Sequence, residues 1–150
     1  MTATLEDAVI LAAEKHRGQT DKGGFPYIMH PLRVMHRLGP GASGDERVAA
    51  VLHDVVEDSD VTLDDLRRRG FAESVVAAVD ALTKRPAEKV DYFAAIRRAG
   101  ANPIARAVKI ADLSDNLDIS RLPSPTARDH ERIERYRVAL EMLAAEQKGD

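Results

Sequence analysis

Val51-Leu52-His53-Asp54-Val55-Val56-Glu57-Asp58 sets four ionisable side chains into an apolar stretch. Positions i, i+3 and i+4 share one face of a helix. A helix over residues 45–58 therefore brings Glu57 near both His53 and Asp54, and Asp58 near Asp54. Val51, Leu52, Val55 and Val56 mark this helix as part of a core. Charges taken into a core must be paired or must coordinate a metal. The stretch thus predicts a helical protein with a buried divalent-metal centre and two spare carboxylates, Glu57 and Asp58, one turn beyond it.

Helical punctuation continues on both sides. Residues 5–16 put Ala8, Leu11, Ala12 and Lys15 on one stripe, and Gly18 follows as a stop. Residues 20–27 hold Gly23, Gly24 and Pro26 and read as a loop. His30-Pro31 opens a second helix through residue 38, with proline in the first turn. Thr62, with Asp65 three residues on, has capping-box spacing for a helix over 63–69 that ends at Gly70. Further helices are expected over 72–84, 90–99, from 104 to about 120, and over 128–146, with Ile133, Tyr136, Leu140 and Leu143 facing inward. No alternating strand pattern stands out. The expectation is an all-α fold: a single compact helical domain over residues 1–150, of about seven helices.

Composition narrows the function. A chain of 150 residues, 44% hydrophobic, suffices for one domain with a proper core. No run of 18 apolar residues is present, so no membrane span is expected. The N-terminus lacks a basic flank followed by an apolar stretch, which reads as no signal peptide and a cytoplasmic protein. Without cysteine there is neither disulfide nor thiolate ligand, leaving His, Asp and Glu to hold a metal. Net charge is −3 with both signs mixed along the chain, and no basic stripe with interleaved aromatics supports nucleic-acid binding. Local basic groups still suit a small phosphorylated ligand. An oligomer is left open.

A donor set of imidazole and carboxylate suits Mn²⁺, Fe²⁺ or Zn²⁺ and leans away from structural zinc. Such a metal, with positions left for water and substrate, activates its water and polarises a phosphoryl oxygen. Glu57 and Asp58 are placed to accept or orient the proton. Asp112 and Asn116 are i and i+4, and Lys109 lies three before Asp112. On the residues alone, His30 reads equally as a helix-start residue or as a ligand, and Asp112 as a ligand or as a salt-bridge partner of Lys109. His16, His36 and His130 lack suitable companions and read as structural or exposed. The charged run of the last helix reads as a solvated face.

His16-Arg17-Gly18-Gln19, Pro26-Tyr27-Ile28-Met29-His30-Pro31, Val51 through Asp58, Leu82-Thr83-Lys84 and Val108-Lys109-Ile110-Ala111-Asp112 occur in that order. Together they resemble the hydrolase domain of Rel/Spo proteins, within the HD phosphohydrolase superfamily, over almost the whole chain. The resemblance implies Mn²⁺ held by His30, His53, Asp54 and Asp112, with other divalent ions as alternatives. It implies removal of pyrophosphate from the 3′ position of guanosine tetra- or pentaphosphate. It assigns water activation to Glu57 and Asp58, and substrate contacts to Lys22, Asn116 and Tyr136. The chain leaves no room for synthetase or regulatory regions, so a free-standing small alarmone hydrolase is expected.

Two departures bear on the base. Asp21 stands where the family has an arginine that packs on guanine, and Leu113 follows Asp112 where a basic residue is usual. A carboxylate cannot stack as a guanidinium does, and it repels phosphates. An adenosine alarmone or an NADPH-like nucleotide is therefore the alternative substrate, and a non-catalytic nucleotide-binding HD domain the alternative role.

Overall fold

The computed structural model describes residues 2–149. Its helices are α1 (Leu5–Lys15), α2 (Met29–Arg37), α3 (Gly44–Leu52), α4 (Val55–Asp58), α5 (Leu63–Arg68), α6 (Glu73–Leu82), α7 (Tyr92–Gly100), α8 (Pro103–Asn116) and α9 (Ala127–Gly149), with a 3₁₀ turn at Pro86–Lys89. Among the described residues there is no strand; Thr20 and Pro26 form one isolated antiparallel bridge. The fold is all-α, as the periodicity predicts. No helix is long and apolar enough to cross a membrane among the described residues.

Side-chain caps set several helix starts. Thr4, Ser43 and Thr62 each accept from the third helical amide while Asp7, Glu46 and Asp65 reach back, three complete capping boxes. Each such cap is worth about 1 kcal/mol. Asn102 caps α8 through Ala105, and Pro103 fills the first helical position, where no amide partner is needed.

The core is built around α8. Ala105, Val108 and Ala111 meet Val34 of α2, Ala49 and Ala50 of α3 and Ala78 of α6. On another side, Leu113 packs with Ile96 of α7 and with Ala139 and Leu143 of α9. A further cluster joins α1, α3, α5 and α6 through Leu11, Leu52, Leu66 and Val76. This packing brings the start of α2, the end of α3 and the last turns of α8 together, with His30, His53 and Asp112 on them.

Two expected helices differ. The helix over 45–58 is broken at His53 and Asp54 into α3 and α4. His53 Nδ1 donates to the Ala50 carbonyl at 2.6 Å. That carbonyl is the acceptor a continuing helix offers to the Asp54 amide. The helix from 104 stops at Asn116 rather than near residue 120. Asp118 accepts from the Ser120 amide at 3.0 Å, a local turn that competes with helix.

Arg98 of α7 ties the end of α6 to the 3₁₀ turn. Its guanidinium donates to the carbonyls of Asp80, Ala81 and Thr83 at 3.1, 2.9 and 2.7 Å. It also holds both oxygens of Glu88, at 2.8 and 2.5 Å, and keeps that carboxyl low, at about 2. Arg98→Ala is expected to lower stability by roughly 2–3 kcal/mol, because it strands a carboxylate and several helix-end carbonyls. Urea unfolding measures this; an unchanged midpoint would show that water replaces the guanidinium without loss.

Candidate metal centre

Four side chains from three separate parts of the chain point at one another. His30 Nε2 lies 2.9 Å from Asp112 Oδ1 and 3.8 Å from Asp54 Oδ2. His53 Nε2 lies 3.0 Å from Asp54 Oδ2 and 3.6 Å from Asp112 Oδ1. One ligand atom each of His30, His53 and Asp54 falls within a span of 4.8 Å. His53 Nε2 is buried without an aligned hydrogen-bond partner, the sort of polar atom that needs a ligand to explain it. Both Nδ1 atoms are already engaged, His30 with Asp115 at 2.7 Å and His53 with the Ala50 carbonyl, which leaves the two Nε2 atoms facing the centre. Two imidazoles with nearby carboxylates and no sulfur fit a divalent cation.

Neighbours hold the carboxylates. Tyr27 donates to Asp54 Oδ2 at 2.5 Å, and Lys109 donates to Asp112 Oδ2 at 2.8 Å. Asn116 Nδ2 donates to Asp112 Oδ1 at 3.2 Å. Burial pulls His53 down, but Asp54 and Asp112 beside it outweigh that and raise it well above its ordinary value. Burial likewise opposes Asp54 and Asp112. His53 prevails at the first, and Lys109 with the two imidazoles at the second, so both stay ionised below the usual carboxylate range. Lys109 is Asp112's partner, but Asp112 is buried and Lys109 half-buried in the cavity wall, so the pair is not on a solvated face.

The centre opens into a cavity of about 690 Å³, which Lys22, Glu57, Asn116 and Tyr136 also line. Of the expected site residues only Asp58 is absent from its wall. Glu57 and Asp58 are exposed, a correction to the view of them as core charges. Glu57 Oε1 accepts from the Lys84 amide at 2.9 Å instead of meeting His53. Asp58 is pushed up to about 6 by partial burial, then by the charges of Asp54 and Glu57. His16 is buried against Gln19, while His36 and His130 are exposed.

Opposite the acidic centre the wall is cationic. Desolvation lowers the Lys22 ammonium; the charges of Arg132, Arg128 and Arg135 lower it further, and that of Asp129, which also lines the cavity, opposes them. Arg135 lies over the Tyr92 ring at 5.1 Å, and Tyr92 neighbours Tyr136 at 6.5 Å between centroids. Asp21 also lines the cavity: Oδ1 accepts from the Gly23 and Phe25 amides at 2.9 Å each and closes the loop, while Oδ2 is buried without a hydrogen-bond partner.

The loop is seated tightly against the segment after α8. A Cβ built on Gly23 would stand 2.6 Å from the Arg121 carbonyl oxygen. Gly23→Ala is expected to force the two segments apart at a cost of about 1–3 kcal/mol. A thermal melt reads this; no loss would mean that the loop yields freely.

Tyr27, Asp115 and Tyr92 were not singled out by sequence spacing. Tyr27 carries a signal three residues before His30. Asp115 carries one in its i+3 relation to Asp112. Tyr92 carries none, since its place depends on how α7 meets α9.

Known proteins resemble this chain in sequence and in fold. The family model described as HD domain matches residues 8–145. Mouse guanosine-3′,5′-bis(diphosphate) 3′-pyrophosphohydrolase MESH1 is 35% identical over 148 residues, spanning 89% of this chain and 79% of its own. The human protein of that name is also 35% identical, with 89% and 79% covered. A protein of Aquifex aeolicus named guanosine-3′,5′-bis(diphosphate) 3′-pyrophosphohydrolase is 33% identical over 120 residues, but the match spans only 17% of its length. A solved structure, described as a metazoan ortholog of SpoT that hydrolyzes ppGpp, superposes with a TM-score of 0.79 at 28% identity, covering 99% of this chain and 88% of that one. The chain belongs to the HD domain family.

Proposed function

We propose that residues 1–150 act as one HD-type phosphohydrolase domain. It removes the 3′-pyrophosphate of guanosine tetra- or pentaphosphate, using Mn²⁺ held by His30, His53, Asp54 and Asp112. The observation that carries this reading is the union, in one nucleotide-sized cavity, of a His/Asp cluster and a facing cationic wall. The names of the relatives supply the substrate.

When bound, a divalent ion there supplies Lewis acidity to a phosphoryl oxygen and to water. This chain's own groups do the rest. Lys22, Arg132 and Arg135 draw in the phosphates, and the field they make also speeds encounter. Glu57 takes the proton of the attacking water, with Asp58 shaping the local charge. Asn116 holds Asp112 and adds no charge, while Tyr136 and Tyr92 give the nucleoside an aromatic wall.

Asp21 favours a second substrate reading. One oxygen of its carboxylate closes its own loop, and an aspartate at that edge offers no guanidinium to a guanine ring. The test is to load the protein with Mn²⁺ and follow pyrophosphate and phosphate release from guanosine tetraphosphate, its adenosine counterpart, NADPH and simple nucleoside phosphates. Pyrophosphate from the guanosine compound is expected. Release from another member moves the substrate and keeps the chemistry; silence across the panel overturns the hydrolase reading.

A further inference from the structure

The imidazole of His30 is gripped on both nitrogens by one helix. α8 presents Asp112 and Asp115 one turn apart, as i and i+3 residues. Asp112 Oδ1 lies 2.9 Å from Nε2, and Asp115 Oδ2 lies 2.7 Å from Nδ1. A carboxylate oxygen only accepts, so Nδ1 carries a proton and Nε2 is turned toward the centre. The Asp115 side chain is 1% exposed, a burial that a single imidazole does not offset.

Three arginines complete the environment of Asp115. Arg33, one turn after His30 on α2, donates from Nε to Oδ1 at 2.9 Å and from Nη2 to Oδ2 at 3.1 Å. Arg37, a further turn on, donates to Oδ1 at 3.1 Å. Arg121, in the segment after α8, donates to Oδ2 at 3.3 Å. The other histidine is held quite differently, by the neutral carbonyl of Ala50 at 2.6 Å.

We propose that Asp115 is the positioning residue of the metal centre, fixing His30 from behind while Arg33, Arg37 and Arg121 lock the carboxylate in place. A carboxylate behind an imidazole fixes its tautomer and strengthens it as a ligand, and removing such a group costs 10–100-fold in metal affinity. Asp115 touches neither substrate nor metal; it acts through His30. Arg121 adds a link, because its own carbonyl rests on Gly23. The loop that walls the cavity and the anchor of His30 therefore share one residue. The proposal deepens the metal reading above and rests on it.

The experiment is calorimetric titration of Mn²⁺ into chelator-stripped protein, for the parent, Asp115→Asn and Arg121→Ala, with melts of the metal-free forms. Asp115→Asn is expected to bind Mn²⁺ about 10–100-fold more weakly, with a metal-free melting point that falls for loss of the buried charge but stays above the temperature of the titration. Arg121→Ala leaves the carboxylate on His30 and is expected to lose less than about 5-fold, the worth of a part-exposed ion pair. Should Asp115→Asn fail to fold, nitrogen NMR of the Zn²⁺-loaded parent decides: His30 must be ligated through Nε2 and keep a proton on Nδ1. Ligation through Nδ1, or an Asp115→Asn variant that binds Mn²⁺ as tightly as the parent, overturns the positioning role alone. A parent that takes up no Mn²⁺ overturns the metal reading with it.

Discussion

Asp54→Asn is expected to abolish turnover, by on the order of 10³-fold or more, with the helices intact. Asp54 Oδ2 sits 3.0 Å from His53 Nε2 and 3.8 Å from His30 Nε2, and accepts from Tyr27 at 2.5 Å. Asparagine keeps the shape and a carbonyl oxygen for Tyr27, so the position of the side chain survives and its charge does not. Two carboxylates among neutral imidazoles balance a dication; one does not. Lewis acidity is worth several kcal/mol to the reaction, and each factor of ten in rate is about 1.4 kcal/mol, which sets the scale of the loss. Since residue 54 already lies outside a regular helix, at the break between α3 and α4, circular dichroism should not change. Pyrophosphate release and Mn²⁺ calorimetry check the result. A variant that turns over at the parental rate would falsify the assignment of Asp54 as a ligand.

How far the site could be read from the sequence differs from residue to residue. His53 and Asp54 are legible because two polar residues interrupt an apolar face, and only coordination or pairing excuses that. Asp112 and Asn116 are legible as neighbours on one helix turn, and they do share one. What periodicity could not show is the break after Leu52, because it depends on a single side-chain hydrogen bond to the Ala50 carbonyl. An unbroken helix would direct Glu57 at His53; the real one lets it reach the Lys84 amide, 27 residues away. Asp115 was hidden for a similar reason. Its partner His30 is 85 residues off in sequence, and only the packing of α2 on α8 makes the contact. Asp21 adds a role that spacing did not show: besides standing in the cavity wall, it closes a turn through two amides of its own loop. Local pattern thus points to the candidate residues, while tertiary packing determines what each one faces.

Charge separation across the cavity follows from the same packing. The site's histidines and carboxylates come from α2, the break between α3 and α4, α4 and α8, and Arg132 and Arg135 come from α9, where Asp129 pairs with Arg132; Ala139 and Leu143 seat that helix on Leu113 and Ile96. A polyphosphate entering such a cleft meets cations at one end and the metal ligands at the other.

Glu57→Gln should separate proton transfer from metal binding. The variant is expected to lose about 10²–10⁴-fold in kcat, the usual worth of a general base, while Mn²⁺ affinity stays near the parental value. Glu57 lines the cavity but stands outside the ligand cluster, so no coordination is lost with its charge. Glutamine retains a carbonyl oxygen for the Lys84 amide, and the anchor at 2.9 Å therefore survives. Only basicity goes. Asp58 is the control built into the chain: adjacent, acidic, exposed, and absent from the cavity wall. Burial, and after it the charges of Asp54 and Glu57, push it up to about 6, which suits a group that tunes the field near the water. Asp58→Asn should accordingly cost about tenfold, well below a general base's share. Steady-state kinetics at saturating Mn²⁺ on both variants distinguishes the roles. If Asp58→Asn proves the more damaging of the two, Asp58 is the base, and Glu57 serves chiefly to hold the chain at Lys84.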